Sequence, residues 1–132
     1  MDVQSTKPSG PASILVVEDD QGLRSLVTLI LSREGHILTG AESVAKARHA
    51  LSLDDVDLVL LDNTLPDGTA NDVLDLVGTT PVVLLSGAPP EVAPAPVVAV
   101  LLKPVSAQDL RAAVALALGS DRAKKARDAG GW

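Results

Sequence analysis

The chain predicts an open α/β domain built on a doubly wound, five-stranded parallel sheet. Three observations carry that expectation. The runs Ile14–Val17, Leu58–Leu61, Pro81–Leu85 and Val97–Leu102 are continuously apolar, as strands covered on both faces must be. The stretches between them space their apolar residues at three and four, the period of a half-buried helix. Finally, the four runs end in residues with chemistry: Glu18-Asp19-Asp20, Asp62, Ser86 and Lys103. The carboxyl ends of strands are where ligands bind in such sheets.

Residues 1–12, with Pro8, Gly10 and Pro11, read as a flexible leader, and Ile14–Val17 as the first strand. From Gln21 to Glu34 the residues Leu23, Leu26, Val27, Ile30 and Leu31 form the inner stripe of a helix that Gly35 ends. His36 to Gly40 fits an edge strand. Ser43 caps a second helix with Val44, Ala47 and Leu51 inward, broken by Asp54 and Asp55. Asp57–Leu61 is the next strand, followed by a turn over 63–68. Thr69-Ala70-Asn71-Asp72 resembles a capping box and opens a short helix with Val73, Leu74 and Val77, stopped by Gly78. After the strands Pro81–Leu85 and Val97–Leu102, Ser106 caps a last helix with Leu110, Ala113, Val114 and Ala117 inward, closed by Gly119. Residues 119–132 read as a charged tail, a frayed helix or disorder, with Trp132 on the disordered side. The domain proper is 13–118.

Composition narrows the function classes. The formal net charge is −6 and no Lys/Arg cluster offsets it, which argues against nucleic acid as a direct partner. Without Phe or Tyr the core must be aliphatic. The absence of cysteine fits a reducing compartment. The first residues lack an apolar signal segment, and no run is long enough to span a bilayer, so a cytoplasmic location without a membrane partner is expected. His36 and His49 lack paired ligand spacing and read as surface residues.

A carboxylate at a strand end can attack a phosphoryl group and form an acyl phosphate. The transition state spreads negative charge over oxygens and needs cations nearby. Mg²⁺ suits a site of carboxylate, carbonyl and water oxygens. Taken singly, each residue has an ordinary reading: Glu18, Asp19 and Asp20 as a solvated helix start, Asp62 as an Asx-turn, Ser86 as a turn residue, Lys103 as a surface lysine. Their occurrence together at strand ends selects the functional one. Two like charges ~4 Å apart cost about 4 kcal/mol at an effective dielectric near 20, so clustered acids need a metal and the lysine.

This ordered set resembles the receiver domain of two-component response regulators, over about 13–118. The resemblance implies a flavodoxin-like receiver fold and a signalling switch. Asp62 would take the phosphoryl group from a sensor histidine kinase or phosphotransfer protein in a Mg²⁺-dependent step. Glu18 would act on the metal through water, Asp19 and Asp62 directly, and Thr64 by its main-chain carbonyl. Ser86 and Lys103 would bind phosphoryl oxygens. Enzymatic activity would be limited to self-phosphorylation from a donor and slow autodephosphorylation, since Thr64 and Ala88 stand where water-orienting side chains sit in fast receivers.

The chain departs from the family at several positions. Val100 replaces the usual aromatic three residues before the lysine, Val105 replaces a Phe after Lys-Pro, and Ala70 stands where Gly is frequent. Pro89, Pro90, Pro94 and Pro96 fall where the fourth helix belongs, so Gly87–Pro96 is expected to be an irregular, mobile loop with that helix reduced or absent. This resembles the receiver subgroup with a loop there. It also alters a surface that receivers use for dimerisation, although a homodimer stays possible. A stand-alone receiver and a receiver cut from a larger regulator both fit. Two other readings remain: a receiver-like interaction module that is never phosphorylated, and a haloacid-dehalogenase-type phosphatase. The latter needs a second Asp at the position held by Thr64.

Overall fold

The computed structural model describes residues 11–88 and 94–130. Residues 1–10 of the expected leader, the middle of the proline-rich segment and Trp132 lie outside the described residues, whereas Ala12, expected in the leader, is buried in the core. In chain order the elements are β1 (Ser13–Val17), α1 (Gln21–Arg33), β2 (Ile37–Ala41), α2 (Val44–Leu53), β3 (Leu58–Asp62), β4 (Thr64–Leu65), β5 (Gly68–Thr69), α3 (Ala70–Val77), β6 (Val82–Ser86), β7 (Val97–Leu102) and α4 (Ala107–Gly130).

Five strands form one parallel sheet in the order β2-β1-β3-β6-β7. The chain runs outward to β2, then returns past β1 to β3. The crevice above β1 and β3 is therefore the switch point of the sheet, the place such folds use for ligands. β1, β3 and β6 are buried almost throughout, which explains their unbroken apolar character.

Alternate residues feed two cores. Ile14, Val16, Leu58, Leu60 and Val83 meet Val27 and Leu31 of α1 and Leu110 and Val114 of α4. Leu15, Val17, Val59, Leu61 and Leu84 meet Ala47 of α2 and Val73 and Val77 of α3. On edge strand β7, Val98 and Leu102 stand 44% and 50% exposed. Between those strands, none of the described residues Gly87, Ala88 and 94–96 is helical. A turn there returns Val97 N–H to Pro94 O, and Val82 N–H reaches Pro96 O. No described helix is long and apolar enough to cross a membrane.

The caps agree with local chemistry. Asp20 accepts Leu23 N–H at the start of α1, Ser43 accepts Lys46 N–H before α2, and Ser106 accepts Asp109 N–H before α4. Gly35 and Gly78 end their helices with φ of 92° and 62°, the left-handed region in which a Cβ is unfavourable.

Several sequence expectations need correction. Leu26 is 48% exposed, because the inner stripe of α1 is centred on Val27 and Leu31 and leaves Leu26 on its flank. Gly119 does not close the last helix, which continues to Gly130. A single glycine costs only about 1 kcal/mol in a helix, less than its neighbours recover. His36 is half-buried, and its Nδ1 accepts Ala12 N–H at 3.1 Å. The expected turn over 63–68 is a miniature hairpin, with Thr64 opposite Thr69 and Leu65 opposite Gly68. Ala70 needs no positive φ: it begins α3, buried, with its N–H on Asn63 O.

The hairpin is anchored on two sides. Asp67 accepts Val44 and Ala45 N–H at 2.8 and 3.0 Å, and Asp72 accepts Thr69 N–H at 3.0 Å. Gly68 allows this closeness: a Cβ there would lie 2.5 Å from Asp72 Oδ2 and 3.0 Å from Val44 Cγ2. Gly68→Ala should therefore cost about 1–2 kcal/mol by expelling the Asp72 cap. Urea unfolding checks this, and an unchanged midpoint would mean that the hairpin is not packed this closely.

Candidate functional site

The carboxyl ends of four strands converge at the switch point. β1 delivers Glu18, whose N–H makes a last ladder bond to Ala41 O at 2.9 Å. β3 ends on Asp62, paired in register with Leu85, so Ser86 lies one residue beyond on the neighbouring strand. Ser86 O in turn accepts Lys103 N–H at 2.8 Å, which fixes the backbone that carries the lysine.

Three of these polar residues are buried: Glu18 completely, Asp62 and Ser86 nearly so. Lys103 Nζ stands 3.0 Å from Glu18 Oε1 and 3.2 Å from Asp62 Oδ1, bridging two carboxylates with one ammonium. Glu18 Oε2 accepts Asp20 N–H at 3.1 Å, while Oε1 has no hydrogen-bond partner beyond its ion pair. Asp62 Oδ1 also accepts Thr64 N–H, weakly, at 3.4 Å. Exposed Asp19 completes the group, since one carboxylate oxygen from each of Glu18, Asp19 and Asp62 lies within 4.8 Å of the others.

Electrostatics follow from this crowding. Burial pushes the Glu18 carboxyl up to about 7, and nearby Asp62 adds to the rise. The Asp20 N–H and the Lys103 ammonium pull the other way without cancelling it. Partial burial lowers Lys103, but its two carboxylate partners more than offset that and hold it above the ordinary lysine value. Three carboxylates facing one ammonium make a site short of positive charge. Glu18 Oε1, whose one partner among the described residues is the Lys103 ammonium, faces this group of acids, and carboxylate oxygens so gathered suit a hard cation.

The sequence-derived site residues Glu18, Asp19, Asp62 and Lys103 thus come together. Thr64 opens the hairpin beside Asp62, with its side chain exposed. Ser86 is placed at the adjacent strand end, but its hydroxyl is occupied locally: it donates to Ala88 O at 2.5 Å and accepts Ala88 N–H at 3.3 Å. Asp20 belongs to the helix cap.

Two supporting residues were not foreseen. Arg24 Nη1 donates to Glu18 O at 2.8 Å and reaches Asp19 O at 3.4 Å. No periodicity marks a side chain that returns to backbone six residues earlier. Asp67, whose N–H donors hold its carboxyl below the usual range, ties the hairpin to α2. Its place in Pro66-Asp67-Gly68 signals a turn, and nothing in that motif indicates the distant helix.

Comparison with known proteins decides the family. A family model described as the response regulator receiver domain matches residues 14–115. The chain belongs to the response regulator receiver domain family. This receiver is 44% identical over 52 residues to the transcriptional regulatory protein GlrR of Escherichia coli, covering 39% of this chain and 12% of that protein. It is 34% identical over 83 residues to a protein-glutamate methylesterase/protein-glutamine glutaminase of Rhizobium etli, covering 59% and 24%. The match therefore spans a quarter or less of these relatives' length. Among solved structures, a CheY-like receiver domain protein from Methanospirillum hungatei superposes with a TM-score of 0.77 at 21% identity, covering 87% of this chain and 99% of that one. PhyR from Brucella abortus gives 0.82 at 20%, covering 92% and 54%. At these identities the likeness speaks to the fold, an α/β flavodoxin-like receiver.

Burial of Glu18 gives the receiver a pH signature. Between about 4.5, the ordinary carboxyl value, and about 7, folded Glu18 holds a proton that the unfolded chain has released. Folding stability is then greatest below that window and falls as pH rises through it, by about 3 kcal/mol in all. In metal-free buffer the urea midpoint should drop from pH 5 to pH 8, and Glu18→Gln should flatten the slope. A midpoint that rises over that interval in the wild type would contradict the assignment.

Proposed function

We propose that this receiver is a phosphorylation-dependent signalling switch, taking a phosphoryl group on Asp62 from a sensor histidine kinase or phosphotransfer protein in a Mg²⁺-dependent step. One observation carries the reading: a buried carboxylate at the end of the central strand stands 3.2 Å from an ammonium that also holds a second buried carboxylate. A structural ion pair needs one acid per lysine. Here the excess of acid gathers where the fold binds ligands.

In this reading an Asp62 carboxylate oxygen attacks phosphorus. The phosphorus–nitrogen bond of the donor phosphohistidine breaks, and the imidazole leaves with its electron pair. Mg²⁺, when bound, offsets the charge of the acids and of the transferring group. The carboxylates of Glu18, Asp19 and Asp62 and the Thr64 carbonyl would hold it, with Glu18 acting through water. Lys103 stays beside Asp62 and pairs with a phosphoryl oxygen. Ser86 turns its proton from Ala88 O to another phosphoryl oxygen, which frees the backbone just before the proline-rich segment. Val100 is half-buried against the second core and aliphatic, so the response runs through that backbone release, without an aromatic rotation. A phosphatase of the haloacid-dehalogenase type would need an acid at Thr64.

Incubation with acetyl phosphate and Mg²⁺ should add one phosphate to the wild type by intact-protein mass spectrometry. Asp62→Asn should add none while keeping its circular dichroism spectrum. Undiminished phosphate on the variant would place the acceptor elsewhere.

A further inference from the structure

We propose that Arg24 is a positioning residue for the acidic pair: its guanidinium holds the main chain of Glu18 and Asp19, and so sets where their carboxylates meet a cation. The inference rests on the phosphoacceptor reading above and adds to it a residue that touches neither metal nor phosphoryl group.

Glu18 lies where β1 leaves the sheet. Its N–H makes the last ladder bond, to Ala41 O, and the chain then turns into α1. Its carbonyl belongs to a fully buried residue and needs a donor from elsewhere. Arg24 supplies one from the first turn of α1, with Nη1 2.8 Å from Glu18 O and 3.4 Å from Asp19 O. These bonds go to main-chain oxygens and leave the carboxylates to the cluster. A guanidinium suits the task because it presents several N–H groups in a fixed plane.

The opposite strand makes room for it. The stem of Arg24 crosses edge strand β2 at Gly40, where a Cβ would lie 3.2 Å from Arg24 Cδ and 3.6 Å from Cγ and Nε. Gly40 is the register partner of Val16, two residues before Glu18. Glycine is a poor strand residue, and a side chain here would meet the arginine. Two separate features, the carbonyl bonds and the space at Gly40, thus describe one clamp. Asp20 holds the pair from the other side, its N–H on Glu18 Oε2 and its carboxylate on the α1 cap. Of these fastenings, Arg24 is one that substitution can remove without deleting a carboxylate.

The test is a calorimetric Mg²⁺ titration of the full chain and of Arg24→Ala, Arg24→Lys and Gly40→Val. Residues that orient metal ligands typically contribute ten- to a hundredfold in affinity, so Arg24→Ala should weaken Mg²⁺ binding about tenfold. The rate of phosphorylation by acetyl phosphate at saturating Mg²⁺ should stay near that of the wild type. Arg24→Lys should recover part of the affinity. Gly40→Val favours a strand but crowds the arginine stem, so it should reproduce the loss, and it should add nothing in an Arg24→Ala background. Without metal, the Asp20 amide should exchange faster in Arg24→Ala. Wild-type Mg²⁺ affinity in Arg24→Ala would overturn the proposal, as would a loss that Gly40→Val fails to reproduce. Failure of the wild type itself to bind Mg²⁺ would overturn this clamp together with the phosphoacceptor reading, which separates the two failures.

Discussion

A single ammonium, Lys103 Nζ, lies between the carboxylates of Glu18 and Asp62, at 3.0 and 3.2 Å. The three residues stand at the ends of neighbouring strands β1 and β3 and of edge strand β7, so the contact reaches across β6. Taking such charges out of water is expensive, and the two buried acids share this one ammonium, with exposed Asp19 beside them. Burial, with Asp62 adding to it, pushes the Glu18 carboxyl up to about 7. A group of residues selected only for stability would not be left short of positive charge. The remaining architecture can be understood as support for that imbalance.

The parallel sheet is the first support. Apolar residues on both faces of β1 and β3 fill two cores, and these cores hold the strand ends in register. The second is a set of small polar fastenings around the rim. Asp20 caps α1 while its N–H steadies Glu18; Asp67 and Asp72 bolt the hairpin after Asp62 to α2 and α3; Arg24 grips the turn after β1. At the end of β6 stands Ser86. Among the described residues its hydroxyl bonds Ala88, and Leu102 on the adjoining edge strand is half exposed.

Much of this was legible in the amino-acid order, for a physical reason. A doubly buried strand must be an unbroken apolar run, and the residue that ends it stands at the ligand edge. Glu18, Asp62, Ser86 and Lys103 could therefore be placed at one edge before any coordinates. What could not be read depends on partners distant in sequence. The hairpin of Thr64–Leu65 with Gly68–Thr69 is too short to show a period, and Asp67 finds its donors more than twenty residues upstream. Gly119 reads as a stop, yet local propensity is weak beside the cooperativity of a long helix. Leu26 shares the spacing of its buried neighbours, and only the angle at which α1 packs leaves it outside.

Until a cation arrives, the buried Glu18 carboxyl carries a proton over much of the range below about 7. Mg²⁺ binding measured calorimetrically in buffers of different ionisation enthalpy tests it most directly, because the proton count can be read from the buffer dependence. Mg²⁺ binding near pH 6.5 should expel a large fraction of one proton, and this release should fade toward pH 9, where Glu18 is already ionised. Binding without proton release at pH 6.5, or no binding at all, would contradict it.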